Sequence, residues 1–527
     1  MIGRRKIQTD MFDVGNVFPY SPDPKSYYGQ LAKVSDKLFV DDDFAALYSG
    51  HCGRPSVPPS LLALVLIMQA REQISDEEAI RRTTCDLDWA VVLRRQVGVQ
   101  MCAKSTLQCF RAQLLVNDKL NAFLVTSLKH AREKGLLKGQ HLKQAVDTKP
   151  IFGRGAVEDT FNLIGHAMSS LLRAMAGQSG RTTTQLIAKY DLPKLAAPSV
   201  KGAVDIDWSD ETARNGALTD LVADARKLIG LADGGNPKIK VAAGLLEQIL
   251  LQDVVESTKD DGSGDAHIKQ GTAKGRVPSV TDPEQRHGRK SASKRFTGHK
   301  ASVSTDVATG LILAADVIPG DAADATQVLE LTEQAEANSS CQIVETLADC
   351  AYGSGAIRQQ FADAGRELTA KVAAEPARDL YPKSKFAIEL PESGQSLELT
   401  KVTCPAGHVS DRLTPDGKGG VTFYFDEHCT GCPLRTACTT STIGRSIHIH
   451  AQEYLIQTAR AFQATAVGRA RLRERIIVEN SLARLGRLGV GQSRFIGRTK
   501  TRIQLVLAAT VANLRRTWNW EAALQPV

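Results

Sequence analysis

The segment 341–354 reads Cys-Gln-Ile-Val-Glu-Thr-Leu-Ala-Asp-Cys-Ala-Tyr-Gly-Ser, and it decides the fold class. Its apolar run over 343–348 predicts a buried strand that ends at Asp349. A helix is predicted next, over 354–364, and one further strand over 367–372. Strand, helix and strand in succession are typical of an α/β sheet with helices on its faces.

Two segments extend this sheet towards the N-terminus. Residues 141–152 are predicted to hold a short strand that ends at Asp147, and residues 299–318 are predicted to form a hairpin. A helix is predicted over 321–337, before the strand that leads to Asp349. The order of elements therefore indicates a mixed sheet.

Several helix starts are marked by capping residues. Pro58-Pro59-Ser60 opens one helix, because proline is tolerated in the first turn. Ser75 and Glu78 have the spacing of a capping box, in which each side chain accepts a backbone N–H of the other residue. Asp321 and Asp324 are interpreted as N-cap residues in preference to metal ligands.

Short helices joined by tight turns are predicted throughout residues 36–135. A helix-turn-helix-like DNA-binding module and a plain helical bundle for dimerisation both fit this pattern. The arginines expected on its outer surface are Arg81, Arg82, Arg94, Arg95 and Arg111.

The chain has 527 residues, more than one hydrophobic core usually spans. The predicted parts are an irregular arm over 1–35, a helical, DNA-binding domain over 36–135, a catalytic α/β domain over 141–156, 266–375 and 453–516, a helical insert over 157–265, and a cysteine-rich insert over 376–450. Residues 255–295 are polar and rich in Gly and Ser, and they are predicted to form a loop that is mobile without ligand.

Basic residues are concentrated in two tracts. Segment 269–300 has nine Lys/Arg against two acids, and segment 460–516 has thirteen against two. These local charges of +7 and +11 sum to +18, so with a net charge of +8 the remainder carries about −10. The alternative is a pair of solvated faces, but arginine dominates the second tract and binds phosphate in a bidentate manner, which favours a nucleic-acid partner.

The apolar stretches are too short for a membrane span, and the longest, 61–70, has about half the required length. The basic N-terminus is not followed by an apolar region, so no secretion signal is expected. We therefore expect a cytoplasmic, nucleoid-associated protein without a membrane partner.

Three isolated acids fit a site for phosphodiester chemistry. Asp147 and Asp349 each follow a strand-like run, and Glu479 lies in a basic helical stretch. Two metal ions about 3.5–4 Å apart can clamp the attacking and leaving oxygens of such a reaction. Mg²⁺ is usually held by a few carboxylates together with substrate oxygens. Each acid alone is more often a solvated or capping residue, so the hypothesis depends on the set.

Five short motifs occur in an order that supports this set. Together they resemble the bacterial insertion-sequence transposases of the DDE class, over most of residues 35–516. The motifs are Phe44 to Tyr48 continuing through Gly53-Arg54-Pro55 and Ser75 to Trp89, Ala-Val-Asp147-Thr-Lys149-Pro, Phe296-Thr-Gly298-His-Lys300 followed by Asp306, Leu-Ala-Asp349-Cys-Ala-Tyr352-Gly353-Ser, and Arg475 four residues before Glu479.

The resemblance implies an RNase H-like catalytic domain and Mg²⁺- or Mn²⁺-dependent transposition. Asp147, Asp349 and Glu479 would be the catalytic metal ligands. Double-stranded DNA, as element ends and target, would be the partner, bound by a homodimer or larger assembly. The candidate DNA contacts are Arg289, Lys290, Lys294, Arg295, Lys300, Arg475, Arg484 and Arg487.

Two positions depart from the family signature. A Tyr often stands three residues before the Arg, where this chain has Leu472, and a Lys often stands seven after the Glu, where it has Gly486. Arg484 and Arg487 lie beside that position. Asp147 is the least certain member of the triad, because Asp306 lies in the same predicted sheet.

Four cysteines cluster near the second basic tract, at positions 404, 429, 432 and 438. Cys404, Cys429, Cys432 and Cys438 fit a tetrahedral structural Zn²⁺ site with a Cys-x-x-Cys core. A reduced, metal-free group of turns is the alternative.

The leading functional hypothesis is a transposase that cuts DNA at the ends of its insertion sequence and transfers the strand. A metal-dependent nuclease without strand transfer and an inactive DNA-binding relic are the alternatives. No P-loop motif is present, so no P-loop ATPase is expected.

Overall fold

The helices are defined by the computed structural model, which describes residues 1–5, 14–17, 20–49, 53–258, 264–291, 293–374, 380–392, 395–410 and 412–524. They are α1 Val14–Val17, α2 Tyr27–Leu38, α3 Pro59–Glu72, α4 Asp76–Cys85, α5 Leu87–Leu93, α6 Lys104–Val116, α7 Ala122–Glu133, α8 Thr160–Ser179, α9 Thr183–Lys189, α10 Val200–Ala203, α11 Glu211–Gly230, α12 Pro237–Asp253, α13 Val328–Ser339, α14 Gly355–Asp363, α15 Asp426–Cys429, α16 Arg435–Cys438, α17 Glu453–Ala464, α18 Ala466–Arg473, α19 Ile476–Arg487 and α20 Arg498–Leu524.

The strands form one large sheet and three small ones. They are β1 His141–Phe152, β2 Val254–Thr258, β3 Gly264–Ile268, β4 Arg286–Arg289, β5 Arg295–Asp306, β6 Ile312–Pro319, β7 Gln342–Ala348, β8 Glu367–Ala370, β9 Ala387–Glu389, β10 Lys401–Thr403, β11 Arg412–Pro415, β12 Val421–Tyr424 and β13 Ser446–Ile449.

The large sheet is mixed, as predicted. Strands β5, β1, β7 and β8 are neighbours in that order, and β4 and β6 both pair with β5. β1 is parallel to β7 and antiparallel to β5, while β7 is parallel to β8. The protein is therefore mixed α/β, and the sheet is consistent with an RNase H-like fold.

The prediction that strand β1 ends at Asp147 is wrong, because the strand continues to Phe152. Its parallel pairing with β7 is recorded up to Ala145, whereas its antiparallel pairing with β5 runs on to Phe152 and Gly298. The longer partner β5 thus keeps the backbone extended beyond the acid. At Asp147, β1 is therefore still paired with β5 but no longer paired with β7.

The N-terminal helices and the sheet share one hydrophobic core, which extends along the chain from Leu31 to Trp518. Helix α20 packs against α3, α7 and β6. Asn513 of α20 accepts the Ile312 N–H at 2.8 Å and donates to the Ser127 hydroxyl at 3.2 Å. One buried amide therefore ties α20 to both the sheet and the N-terminal helices.

The predicted helix starts in the N-terminal region are confirmed. Helix α3 begins at Pro59, and the Ser75 hydroxyl accepts the Glu78 N–H at 3.1 Å. The other half of the predicted capping box is wrong, because the Glu78 carboxylate pairs with Arg81 and Arg82. The predicted outward position of Arg111 is wrong, because this side chain is buried and pairs with Asp76, to which its Nη1 donates at 2.8 Å.

Residues 160–268 form a second hydrophobic cluster of their own. Helices α8 to α12 contribute most of it, and whether this segment is an insert in the catalytic domain stays a prediction. The segment ends in the β2–β3 hairpin, which the helical prediction missed. Part of the predicted loop over 255–295 is therefore strand, since β4 also lies within it, while positions 259–263 and 292 lie outside the described residues.

The predicted N-cap roles of Asp321 and Asp324 are wrong. Helix α13 begins at Val328, and its N-cap is Gln327, whose backbone is left-handed and whose side chain makes no capping hydrogen bond. Residues 321–327 form turns instead of a first helical turn. Asp324 forms an ion pair with Lys300 across the sheet instead.

The segment 380–449 contains a third, small cluster around Phe423 and Phe425. Its strands pair as β9–β10 and as β11–β12–β13. None of the helices among the described residues is long and apolar enough to cross a membrane.

Candidate active site at the carboxyl end of β7

Strand register brings Asp147 beside Asp349. In the parallel pair β1–β7, Gln144 lies opposite Thr346 and Ala145 opposite Leu347, an offset of 202 residues. The separation of Asp147 and Asp349 is also 349 − 147 = 202 residues. The pairing ends at Ala145 and Leu347, two residues before each acid, and the Asp349 charge acts on the Asp147 carboxyl, so the two acids lie near one another.

Helix α19 brings the third acid to the same place. Arg475 Nη1 lies 3.3 Å from Asp147 Oδ2, and Arg475 Nη2 lies 2.6 Å from Glu479 Oε1. Glu479 is in the first turn of α19, where the helix dipole favours a negative charge. One guanidinium thus connects acids that are 332 residues apart in sequence, since 479 − 147 = 332.

The Asp147 carboxyl lies in a strongly negative, dehydrated environment. The pKa of Asp147 is raised to about 6, mainly by burial and also by the charges of Asp349 and Asp324, while the Thr148 N–H and Arg475 act in the opposite direction. Its side chain is 18% exposed, whereas that of Glu479 is 49% exposed. An added cation would relieve the repulsion among these acids, and carboxylate oxygens are ligands that hard divalent cations prefer.

Asp306, the alternative to Asp147, lies elsewhere. It pairs with Gln144 on β1, three residues before Asp147, and it is buried. Its carboxylate accepts the backbone N–H of Thr309 at 2.8 Å and also the Thr309 hydroxyl, so it closes its own hairpin turn. The structure therefore gives Asp306 a local structural role.

Asp324 and Tyr352 belong to the same group of side chains. Burial raises the pKa of Tyr352 well above its usual range, and the charges of Asp147, Asp324 and Asp349 add to that rise. Asp324 also accepts a hydrogen bond from Lys300 Nζ at 2.7 Å. From the sequence Asp324 is interpreted as an N-cap residue in preference to a metal ligand, because it lies in Pro-Gly-Asp-Ala-Ala-Asp in front of a predicted helix.

Lys149 is a residue that sequence analysis missed. It follows Asp147 by two positions on β1, so both side chains project from the same face of the strand. Its ammonium lies 3.3 Å from the Leu482 carbonyl oxygen, and a Cβ built on Gly486 would lie 2.5 Å from its nitrogen. This chain has Gly486 where the resembled family often has a Lys. The Lys149 ammonium on β1 lies next to that position instead.

The predicted DNA contacts fall into two groups. Arg487 and the four cations at the tip of the β4–β5 hairpin are exposed: Arg289, Lys290, Lys294 and Arg295. Burial lowers the pKa of Lys149, and the Lys290 charge lowers it further, so the hairpin tip lies near Lys149 on β1.

The remaining predicted contacts have partners within the protein. Lys300 is buried and paired with Asp324, and Arg475 is shared by Asp147 and Glu479. Arg484 donates to the Gly310 carbonyl, and burial lowers its pKa to about 10. A phosphate-binding role for these three residues stays a prediction.

The four clustered cysteines line one cavity, together with Phe386 and Phe425. Burial raises the pKa of Cys438, and the other three thiols of the cluster contribute to that rise. In the described part of the chain, however, no group of three or more His, Cys, Asp or Glu side chains is already arranged to hold a metal ion.

Two family models match the chain. The model described as "Transposase DDE domain" matches residues 403–518, and the one described as "Transposase domain (DUF772)" matches residues 18–113. Both support an insertion-sequence transposase of the DDE class. No curated protein and no solved structure gives a significant match.

The transposase DDE match contains Glu479 and the four clustered cysteines, whereas Asp147 and Asp349 lie outside both matches. The transposase match at the N-terminus begins before α2 and extends into α6. These family domains support DNA transposition as the general activity and DNA as the substrate, and they imply the use of a divalent metal.

Proposed function

We propose that this chain cleaves DNA at the ends of its insertion sequence and joins the freed end to target DNA. The observation that supports the proposal is the contact of Arg475 with two remote acids, Asp147 and Glu479, near the acid that follows β7. β1 supplies Asp147, the end of β7 supplies Asp349 and α19 supplies Glu479, with Arg475 between the first and third. Acids on rigid elements keep their geometry better than acids on loops.

The proposed metal ligands are Asp147, Asp349 and Glu479, and the proposed metal is Mg²⁺ or Mn²⁺. When bound, such ions activate a water and stabilise the leaving oxygen of the phosphodiester. The Arg475 guanidinium holds the Asp147 and Glu479 carboxylates towards one another. Asp324 adds negative charge behind them, and Tyr352 closes the site from the protein side.

The proposed path of the DNA backbone crosses the β4–β5 hairpin tip. Four exposed cations lie there within a short turn, and the charge of one of them, Lys290, acts on Lys149, which follows Asp147 by two positions on β1. Cations bind phosphates without reading the base sequence. The N-terminal helical region is proposed to recognise the element end, within a homodimer or larger assembly in the cytoplasm.

The salt dependence of DNA binding tests the hairpin. Changing Arg289, Lys290, Lys294 and Arg295 together to Ala is expected to flatten the slope of log K against log[salt] by about 0.9 for each phosphate that the variant no longer neutralises. The measurement is fluorescence anisotropy with a labelled duplex at several salt concentrations. Changing the exposed cations Arg173, Arg181, Lys238 and Lys240 to Ala alters net charge equally, so an equal flattening there would contradict a hairpin path.

A strand-transfer assay tests the proposed activity. The protein is incubated with a labelled element end, unlabelled target DNA and Mg²⁺, and the products are separated on a denaturing gel. Joined product supports the transposase. Cut product alone would favour a metal-dependent nuclease, and bound but unchanged DNA would favour an inactive DNA-binding relic.

A further inference from the structure

The cysteine cluster combines two separate turns. In the first turn, the Cys404 N–H donates to the His408 carbonyl at 2.8 Å and the Gly407 N–H donates to the Cys404 carbonyl at 2.8 Å. Gly407 has φ +88°, which lets the chain fold back beneath Cys404. Residues 404–408 are therefore a closed turn with a thiol at its start.

The second turn repeats this arrangement between Cys429 and Cys432. The Cys432 N–H points to the Cys429 carbonyl at 3.4 Å, and Gly431 between them has φ +74°. Cys438 follows at the end of helix α16. Two turns and one helix end thus present four thiols to a single cavity.

Two arginines surround the thiols on the outside. The Arg445 N–H donates to Cys429 Sγ at 3.4 Å, and its guanidinium donates to the Cys438 carbonyl at 3.3 Å. Arg435 donates to the Cys429 carbonyl at 3.3 Å. N–H donors and cations stabilise thiolates, and two arginines balance the charge of −2 of four thiolates around one Zn²⁺.

The segment 380–449, which contains the four thiols, has short strands and a small hydrophobic cluster to stabilise it. Its strands are three or four residues long, and its buried cluster is small. Small units of this kind usually need a disulfide or a structural metal. Among the described cysteines none is in a disulfide. A cross-link of a different kind is therefore the expected stabiliser.

We propose that Cys404, Cys429, Cys432 and Cys438 bind one structural Zn²⁺ ion as a tetrahedral four-thiolate site. Thiolates are the ligands that zinc takes in closed structural sites. The four thiols line one cavity but are not already arranged around a metal, so binding would require their side chains to reorient. His428 also lines the cavity, but its ring stacks on His408 with centroids 4.9 Å apart.

The zinc site would act on the fold of the insert and not on the reaction. The segment 380–449 lies between Asp349 and Glu479 in the chain, and its base is fixed to α17 by Lys383, which donates to the buried Glu453 at 2.7 Å and to the His448 carbonyl at 2.7 Å. The zinc therefore cross-links the segments that enter and leave α15 and α16. This proposal does not depend on the proposed DNA chemistry.

Zinc content of the full-length protein, purified without chelator and measured by plasma mass spectrometry, tests the proposal. We expect about one zinc per chain. The double variant C432S/C438S is expected to lose it, whereas C85S/C109S, which changes two exposed cysteines outside the cluster, and H428A are expected to retain it. Less than about half a zinc per wild-type chain would overturn the proposal.

Cobalt substitution can be measured on the wild-type protein, so its result does not depend on whether the variants fold. Wild-type protein refolded with Co²⁺ in place of zinc is expected to show thiolate-to-cobalt charge-transfer absorption and the visible bands of a tetrahedral ion. Octahedral cobalt bands, or an unchanged spectrum in C432S/C438S, would place the metal elsewhere. None of these measurements involves DNA, so their failure is distinguishable from failure of the strand-transfer assay.

Discussion

Asp349→Asn is expected to abolish strand cleavage and to leave binding of the element end intact. Asn keeps the shape of the side chain but loses the charge that a divalent cation requires. A bound metal supplies several kcal/mol of transition-state stabilisation, and each 1.36 kcal/mol is a factor of ten in rate, so a loss on the order of a thousandfold or more is expected.

Two measurements separate this effect from misfolding. Cleavage of a labelled end is followed over time, and binding of the same duplex is measured by mobility shift. Asp363→Asn removes an exposed carboxylate from α14, close in sequence, and is the matched control that should cleave normally. Normal cleavage by Asp349→Asn would exclude this residue from the triad.

Asp147→Asn is expected to inactivate the protein and, at neutral pH, to stabilise it. The folded-state pKa of Asp147, about 6, lies above its ordinary value of 3.8. The folded state is therefore favoured while the group is protonated, and that advantage is lost as pH rises through about 6. Each pKa unit corresponds to about 1.4 kcal/mol, so the full effect is about 3 kcal/mol.

Asn cannot ionise, so the stability of the variant should not fall as pH rises through about 6. Urea unfolding without added divalent cation measures the free energy of unfolding of both proteins between about pH 4 and about pH 8. The variant should be more stable at the upper end of that range and should lose its advantage at the lower end. A constant difference across the range would show that Asp147 ionisation does not strain the fold, and Asp363→Asn should match the wild type throughout.

The sequence predicted the strand before Asp349, the hairpin that closes at Asp306 and the helix that carries Glu479. These elements have local signals: an apolar run, a turn with Gly310, and helical spacing in a basic stretch. Binding and catalysis use residues at the ends of such elements, so the triad could be predicted from their order. In the structure Arg475 contacts Asp147 and Glu479, and the Asp349 charge acts on Asp147, while membership of the triad and its catalytic role stay predictions.

Other features depend on contacts that no local pattern contains. From the sequence, Asp324 has the pattern of an N-cap residue, and only the structure shows its ion pair with Lys300. Likewise, Arg111 has the pattern of a surface residue, and only the structure shows its ion pair with Asp76. The end of β1 could not be predicted either, because β5 determines how far it extends. In each case tertiary pairing overrides a local preference.

The contact of α20 with α3, α7 and β6 constrains how this protein is made. During synthesis, a chain that has not yet reached Arg498 leaves the apolar faces of the N-terminal helices and of β6 without their cover. Glu479 emerges only shortly before that helix. A nascent chain should therefore need protection by chaperones until α20 leaves the ribosome, because the core shared by the N-terminal helices and the sheet is completed only then.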